Sequence, residues 1–404
     1  MQNHPFEKMA GLSSPNDSKI ILMVLDGLGG LPTKPRGSTE LETALTPNFD
    51  TLAKEGVTGL HLPVGAGITP GSGPGHLGVF GYDPLAFQVG RGALAAAGVG
   101  FEMESGDVAV RGNFCTLDEE GRVQDRRAGR IDTKTNNRLC EKLDPIELDG
   151  VELFVQTIKE HRFLAVLRGE GLSDEVNDTD PQETGRKPID PEAQKSGAGK
   201  TAAALKQFAE CARKVLAEES PANGILLRGV AKKPEWPSFR DVFGLNAAAA
   251  AAYPMYRGVA RLLGMEVLPQ PETFEEEVEQ VKEHFSAYDF FFIHFKPSDS
   301  RGEDGDFQAK VDAIQKADAI IPALRNLAPD VLIVTGDHST PALLKSHSWH
   351  PVPTVLWSPT CRTDRTESFG ERECMSGGLG PRFPATDLMP LALAHAGRLK
   401  KFGA

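Results

Sequence analysis

Short apolar runs, separated by polar and glycine-containing segments, set the pattern of this chain. Residues 19–25 (KIILMVL), 288–295 (YDFFFIHF) and 331–335 (VLIVT) are dominated by apolar and β-branched side chains. Such runs are typical of central strands that are buried on both faces. A further strand is predicted over 354–357 (TVLW).

Helical patterns lie between these runs. Thr46-Pro47 predicts a helix start with a capping hydroxyl and a proline in the first turn, and Gly56 predicts its end. Apolar residues recur at helical spacing from Phe307 to Leu324 and indicate a core-facing stripe. Alternating strands and helices predict an α/β fold.

Between the first strands and the later ones, the character of the sequence changes. Residues 101–284 contain a polar run (167–181), a Pro/Lys-rich segment (185–200) and six alanines (247–252), which predict a capped helix after Asn246. We therefore predict a discontinuous core of residues 1–100 and 285–404, with residues 101–284 as an inserted α+β domain. An acidic helix over 269–283 would lead back into the core.

Composition narrows the class of protein. A chain of 404 residues is long enough for two domains, and a formal charge of −12 argues against nucleic acid or an anionic membrane as partner. The five cysteines show no CxxC spacing, and no apolar stretch reaches the roughly 18 residues of a membrane span. We expect a cytoplasmic protein, and the sequence leaves a homo-oligomer open.

Acidic and imidazole side chains follow the three central strands. Asp26 ends the first, Lys296 and Asp299 follow the second, and Asp337-His338 follows the third, with His347 nearby in the chain. Each residue alone fits a turn, a cap or local packing. Because ligand sites in open α/β sheets lie beyond the carboxyl ends of the strands, their repetition predicts a site for two divalent ions.

Ser72 lies in a glycine-rich segment, TPGSGPGHLGVFGYDP (69–84), just before a short helical stretch. Backbone N–H groups at a helix start stabilise negative charge, so this serine is a candidate phosphoryl acceptor. The alternative is a flexible loop. For His76 we expect a supporting or structural role.

Arg126, Arg127 and Arg130 cluster in DRRAGR. Guanidinium groups suit bidentate binding of phosphate and carboxylate, although such clusters also occur as solvated faces or ion pairs. The acidic loop SDSRGEDGD (298–306) needs a neutralising cation or base, but it does not have the spacing of a calcium-binding helix–loop–helix.

Together these segments resemble the archaeal type of cofactor-independent phosphoglycerate mutase, in the alkaline phosphatase superfamily. The resemblance spans nearly the whole chain and rests on an ordered set of motifs: VLDGLG (24–29), TPNFDTLAKEG (46–56), PGSxxxHLxxxGYDP (70–84), GRGxxxAxG (90–98), RGNFCTLD (111–118), DRRAGRI (125–131), GEGLSDEVNDTDP (169–181), GDFQAKVDAI (305–314) and GDHSTP (336–341). It implies an alkaline-phosphatase-like core with a mostly parallel sheet flanked by helices.

The resemblance also implies roles for single residues. Ser72 would be the nucleophile, with Asp26, Ser72, Asp337 and His338 around one metal ion. Asp299, Glu303 and His347 would surround the other. Substrate would be held by the three arginines of DRRAGR, with two aspartates and one lysine elsewhere in the chain as further candidates: Arg126, Arg127, Arg130, Asp178, Asp180 and Lys296.

One position departs from the family pattern. The family usually has GHD in the acidic loop, whereas this chain has Gly302-Glu303-Asp304. A carboxylate ligand shifts preference toward manganese or magnesium, with zinc and cobalt as alternatives. The sequence leaves open whether His350 replaces the missing imidazole.

The expected activity is interconversion of 3-phosphoglycerate and 2-phosphoglycerate through a phosphoserine, without bisphosphoglycerate. Two alternatives remain at this stage. One is a metal-dependent phosphatase or another phosphomutase on the same core, and the other is a binding protein that has lost the chemistry.

Overall fold

The structure is a computed structural model that describes Met9 and residues 11–403. The strands, in chain order, are β1 (Ile20–Leu25), β2 (Val57–Leu62), β3 (Val108–Leu117), β4 (Val123–Asp125), β5 (Glu152–Lys159), β6 (Arg162–Arg168), β7 (Gly224–Lys232), β8 (Ala247–Ala250), β9 (Glu266–Val267), β10 (Phe290–Phe295), β11 (Val331–Thr335), β12 (Val352–Trp357) and β13 (Gly380–Pro384).

The helices, in chain order, are α1 (Glu40–Thr43), α2 (Pro47–Glu55), α3 (Ser72–Val79), α4 (Arg91–Val99), α5 (Thr133–Leu143), α6 (Gly199–Val215), α7 (Phe239–Phe243), α8 (Pro254–Leu262), α9 (Phe274–His284), α10 (Pro297–Asp304), α11 (Phe307–Asp318), α12 (Ile321–Asn326), α13 (Glu371–Cys374) and α14 (Leu388–His395). Short 3₁₀ helices lie at Ala128–Arg130 and Ala385–Asp387.

The chain divides into two compact units, one of residues 1–88 and 236–404 and the other of residues 89–235. This division corrects the predicted boundaries after residues 100 and 284. Residues 247–250 form β8, which pairs with β10 in the sheet of the first unit, so the segment before residue 285 belongs there.

The first unit is built on an eight-stranded sheet in the order β13-β2-β12-β11-β1-β10-β8-β9. Only β12 runs against its neighbours, so the sheet is mostly parallel, as predicted. The predicted central strands are confirmed: all six residues of β1 are fully buried between β10 and β11.

Both faces of this sheet are covered. Ile21 and Met23 of β1 belong to the core formed with α2, α9 and α11. On the opposite face, Phe290 and Phe292 of β10 contact Phe239 and Phe80 edge-on or tilted. Burial on both faces explains why the central strands are continuously apolar instead of alternating.

Two local predictions are wrong. The alanines at 247–250 form a strand and not a helix, because backbone pairing with β10 overrides their helix propensity. Helix α2 begins as predicted, but the Thr46 hydroxyl does not cap it. The Asp318 carboxylate accepts from the Phe49 N–H instead, at 2.7 Å.

The second unit has an antiparallel sheet in which β3 pairs with β4, β6 and β7, and β5 pairs with β6. Alternate residues of β3 face different cores: Val108 and Val110 pack with residues of α5 and α6, whereas Ala109 packs with α4. Helices therefore cover both faces of this sheet.

Candidate functional site

Three parallel strands bring the predicted residues to one edge of the sheet. Val24 of β1 is in register with His294 of β10 and with Thr335 of β11. The residues that follow these strands therefore leave the sheet at the same level. Asp26, Asp299, Asp337 and His338 are at most 1% exposed there.

Asp26, Asp337 and His338 form the first candidate metal group, with one ligand atom from each residue lying within 4.8 Å of the others. His338 Nε2 lies 3.2 Å from Asp26 Oδ1 and 3.2 Å from Asp337 Oδ2. Both carboxylate oxygens are buried without a hydrogen-bond partner. Two such oxygens beside an imidazole fit a divalent cation, which would neutralise them.

Ser72 is the first residue of α3, and its Oγ lies 3.3 Å from His338 Nε2. The glycines of this helix allow that approach. A methyl group at Gly75 would lie 2.3 Å from the Asp337 carbonyl oxygen, so the helix packs directly on the backbone of the metal-site loop. His76 lies beside the site: its Nδ1 is 2.8 Å from the Ser72 carbonyl oxygen and 3.1 Å from Asp337 Oδ2, which is compatible with the supporting or structural role expected for it.

Asp299, His338 and His347 form the second candidate metal group. His347 stacks on His338 at 3.6 Å between ring centroids, and its Nδ1 donates to the Pro70 carbonyl at 2.9 Å. That hydrogen bond leaves Nε2 facing Asp299 Oδ1, 3.6 Å away. His338 thus belongs to both groups.

Glu303 and His350 lie outside both groups. The Glu303 carboxylate is 56% exposed and lies 3.9 Å from His347 Nε2, so it stands at the edge of the second group. His350 stacks on Trp349, and its Nδ1 lies 3.0 Å from the Ser348 hydroxyl. His350 therefore does not take the place of the histidine that the family usually has at the position of Glu303.

Lys296 joins the two groups. Its ammonium lies 2.9 Å from Asp26 Oδ2 and 2.5 Å from Asp299 Oδ2. Burial alone would lower the pKa of Lys296, but these two carboxylates raise it well above its ordinary value, so the side chain stays positively charged. A fixed cation at this position suits an anionic substrate.

The electrostatics of the first group follow from its charges. Burial opposes protonation of His338, yet Asp337 and Asp26 raise its pKa to about 9. Burial likewise opposes ionisation of Asp26, whereas Lys296, His294 and His338 hold its pKa well below the ordinary value.

Sequence reasoning missed Tyr256. This residue of α8 is fully buried, and its hydroxyl donates to Asp26 Oδ2. His294, which lies in β10 two residues before Lys296, places Nε2 at 3.3 Å from the same oxygen. No sequence signal connected Tyr256 with the site, because it lies in a segment that was predicted to belong to the inserted domain.

The predicted substrate residues of the second unit lie apart from these groups in the sequence. Arg126 donates to both oxygens of Asp180, at 2.9 and 2.8 Å, and Arg228 lies 3.4 Å from the same carboxylate. Asp178 accepts from the Gly229 N–H at 2.6 Å. The side chains of Arg127 and Arg130 are exposed.

Two further arginines of this unit escaped prediction because they are isolated in the sequence. Burial lowers the pKa of Arg91, and the positive charge of Arg228 contributes in the same direction. The Arg228 side chain is 13% exposed and lies 3.6 Å from the Asp178 carboxylate and 3.4 Å from the Asp180 carboxylate.

The helices in the described part of the chain lack the length and hydrophobicity that a membrane span requires.

Comparison with known proteins identifies the relatives of the chain. The sequence model of a family described as 2,3-bisphosphoglycerate-independent phosphoglycerate mutase matches residues 53–223.

Curated relatives extend this similarity to the whole chain. A protein of Thermus thermophilus, named probable 2,3-bisphosphoglycerate-independent phosphoglycerate mutase, is 51% identical over 404 residues, which cover 99% of each chain. A protein of the same name from Aquifex aeolicus is 49% identical over 403 residues, covering 97% of this chain and 98% of the relative.

Solved structures agree with the sequence comparisons. The cofactor-independent phosphoglycerate mutase of Thermoplasma acidophilum is 30% identical and superposes with a TM-score of 0.72, covering 94% of this chain and 100% of that one. A protein from Pyrococcus horikoshii is 32% identical, with a TM-score of 0.83 and coverage of 96% and 100%. The chain belongs to the 2,3-bisphosphoglycerate-independent phosphoglycerate mutase family.

Proposed function

We propose that this chain interconverts 3-phosphoglycerate and 2-phosphoglycerate through a phosphoserine at Ser72, without bisphosphoglycerate. The observation that carries the proposal is the position of Ser72 Oγ, 3.3 Å from the imidazole that both candidate metal groups share. A half-buried serine at a helix start is suited to hold a phosphoryl group, because backbone N–H groups and the helix dipole favour its charge.

One divalent ion would be held by Asp26, Ser72, Asp337 and His338. The other would be held by Asp299, His347 and the shared His338, with Glu303 at the edge of the site. When bound, they would supply the positive charge that lowers the pKa of the serine hydroxyl and offsets charge on the phosphoryl oxygens. Because carboxylates dominate the donor set, we propose manganese or magnesium, with zinc and cobalt as alternatives.

In the first step, Ser72 Oγ forms a bond to phosphorus while the bond from phosphorus to the glycerate 3-oxygen breaks. The proton of Ser72 ends on that oxygen. In the second step, the glycerate 2-oxygen takes the phosphoryl group, and its proton returns to Ser72. The balance needs neither water nor a second phosphate ester.

We propose substrate-binding residues in each unit separately. Lys296 holds a fixed ammonium between Asp26 and Asp299, where it can attract phosphate oxygens. In the second unit, Asp180 fixes Arg126, and Asp178 lies beside Arg228. We propose Asp178 and Asp180 as supporting residues and Arg126, Arg127 and Arg130 as guanidinium groups that suit the phosphate and carboxylate of the substrate.

Replacing Ser72 by alanine tests the proposal. We expect Ser72→Ala to lose 2-phosphoglycerate formation while it still binds Mn²⁺, because the carboxylate and imidazole ligands remain. The measurement is ³¹P NMR of 3-phosphoglycerate incubated with enzyme in the absence of bisphosphoglycerate. Ser376→Ala, at an exposed serine of the same unit, is the matched control and should behave as wild type.

Other outcomes separate the alternatives. Undiminished turnover by Ser72→Ala contradicts the phosphoserine. Release of free phosphate by the wild type in place of 2-phosphoglycerate identifies a metal-dependent phosphatase. Binding of fewer than two Mn²⁺ ions per chain at saturation contradicts the two-metal site.

A further inference from the structure

The two oxygens of the Asp26 carboxylate have different surroundings. Oδ2 accepts from the Tyr256 hydroxyl and from Lys296 Nζ at 2.9 Å, and His294 Nε2 lies 3.3 Å away. Oδ1 is buried without a hydrogen-bond partner and faces His338 Nε2 at 3.2 Å. One oxygen is therefore tied to the protein, and the other is left for the candidate metal group.

Tyr256 is itself held firmly. Its ring packs against His294 at 3.7 Å and against His76 at 4.5 Å between centroids. These imidazoles come from β10 and from α3, the helix that begins with Ser72. The tyrosine on α8 thus contacts two elements that meet at the site, and its hydroxyl lies 3.2 Å from Lys296 Nζ.

A buried tyrosine fills space with its ring, and its hydroxyl usually finds a hydrogen-bond partner. Tyr82 of the same unit does so: it is fully buried and donates to the Pro237 carbonyl oxygen at 2.9 Å. Tyr256 differs because its acceptor is the carboxylate of a candidate metal ligand. A hydrogen bond to a charged acceptor is stronger and more directional than one to a carbonyl group.

We propose that Tyr256 is a positioning residue for the metal site. Its hydroxyl fixes the rotation of the Asp26 carboxylate so that Oδ1 faces His338 and Asp337, and it thereby sets the affinity of this group for a divalent cation. This inference rests on the proposed two-metal function and assigns a residue outside the ligand set.

The physical reason lies in the torsion of the carboxylate. Rotation about the Cβ–Cγ bond of aspartate is broad and two-fold, so the side chain alone does not select which oxygen faces the metal group. Partners that bind the distal atom of a ligand restrict this freedom, and their loss typically weakens metal binding by about 10- to 100-fold. Lys296 remains on the same oxygen, so metal binding would be weakened but not abolished.

Tyr256→Phe tests the proposal in the full-length chain, and Tyr82→Phe is its matched control. Both variants remove one buried hydroxyl and keep the ring. Mn²⁺ titration calorimetry should show the dissociation constant of one ion raised by about 10- to 100-fold in Tyr256→Phe. It should be unchanged in Tyr82→Phe.

Kinetics give an independent readout that a purely structural role would not move. At limiting Mn²⁺, Tyr256→Phe should have a lower kcat for 3-phosphoglycerate with an unchanged KM, because the buried tyrosine cannot touch substrate. Excess Mn²⁺ should restore kcat. Tyr82→Phe should show no change in its Mn²⁺ dependence.

A folded Tyr256→Phe that binds Mn²⁺ as tightly as wild type overturns this inference and leaves the proposed function intact. A wild-type chain that binds no Mn²⁺ overturns both. If Tyr256→Phe does not fold, Tyr256→His, whose ring N–H still offers a donor, and Tyr256→Leu, which offers none, take its place. Tighter Mn²⁺ binding by Tyr256→His than by Tyr256→Leu supports the proposal, and equal binding by the two variants contradicts it.

Discussion

At the scale of single residues, Lys310 shows how a buried side chain holds the loops that carry the candidate metal ligands. This lysine of α11 is fully buried, and its ammonium donates to three carbonyl oxygens, of Gly27 at 2.8 Å, Gly29 at 3.0 Å and Thr340 at 2.8 Å. Those carbonyls belong to the loops that carry Asp26 and Asp337-His338. One side chain thus connects the ends of β1 and β11.

Replacing this lysine should cost stability. Lys310→Met keeps the length of the side chain but removes the ammonium donor from all three carbonyl oxygens. Among the described residues, Gly27 and Gly29 keep only the Thr340 N–H, at 3.3 and 3.1 Å, so we expect a loss of about 2 to 5 kcal/mol in unfolding free energy. Urea unfolding followed by circular dichroism measures it. Lys316→Met, at an exposed lysine of the same helix, should have nearly wild-type stability. Equal midpoints for the two variants would show that Lys310 contributes nothing beyond packing.

At the scale of elements, α3 depends on small residues to bring Ser72 close to the site. A methyl group at Gly75 would lie 2.3 Å from the Asp337 carbonyl oxygen and 3.2 Å from the Asp337 Cβ. Glycine weakens an isolated helix, so its presence here reflects close packing and not helix propensity. The glycine-rich sequence that suggests a flexible loop is a helix in contact with the metal-site backbone.

Substitution of Gly75 should therefore invert the usual effect of alanine in a helix. Gly75→Ala should destabilise the chain by about 1 to 3 kcal/mol, because the helix must move away from Asp337. A displacement of Ser72 by about 1 Å should also lower kcat by about 100-fold. Thermal unfolding and steady-state kinetics measure both effects.

Gly199→Ala provides the comparison. Gly199 begins α6 and has no atom within 4 Å of the place where a methyl group would stand. There alanine should stabilise the helix by a few tenths of a kcal/mol up to about 1 kcal/mol. Equal effects of the two alanines on stability would contradict the close-packing explanation.

A signal carried by neighbouring residues can be read from the sequence, whereas a contact between distant residues cannot. The central strands were predictable because long apolar runs are local features, and the candidate residues that follow them, Asp26, Asp299 and Asp337-His338, could be named from the strand ends. The alanines of β8 were not, since only pairing with β10 makes them a strand. The contact between Tyr256 and Asp26 could not be predicted from the sequence for the same reason, because it depends on how α8 packs.

At the scale of the whole molecule, the second unit interrupts the first at one place. Phe87, just before the insertion, and Trp236, just after it, are in edge-to-face contact with 5.9 Å between ring centroids. The two ends of the first unit are thus close together. Every residue of both candidate metal groups lies in that unit.

The first unit should therefore still fold when the second unit is removed. Replacing residues 89–235 by a short Gly/Ser linker should leave a folded first unit that binds Mn²⁺ but has no mutase activity, because the arginine cluster is gone. Calorimetry and ³¹P NMR measure the two properties. Loss of Mn²⁺ binding in a folded deletion variant would mean that the second unit contributes to the metal groups. Ser376→Ala in the deletion variant controls for handling.

The position of β1 has a consequence for how the protein is made. Strand β1 pairs with β10 and β11, and β2 pairs with β12 and β13. All four of these partner strands follow residue 289 in the chain. A ribosome therefore completes the inserted unit while six buried residues of β1 still have no strand beside them. Because domains tend to fold in order of synthesis, the second unit should fold before the first. Because unpaired apolar strands aggregate, the nascent amino-terminal segment should depend on chaperones until the last strands emerge.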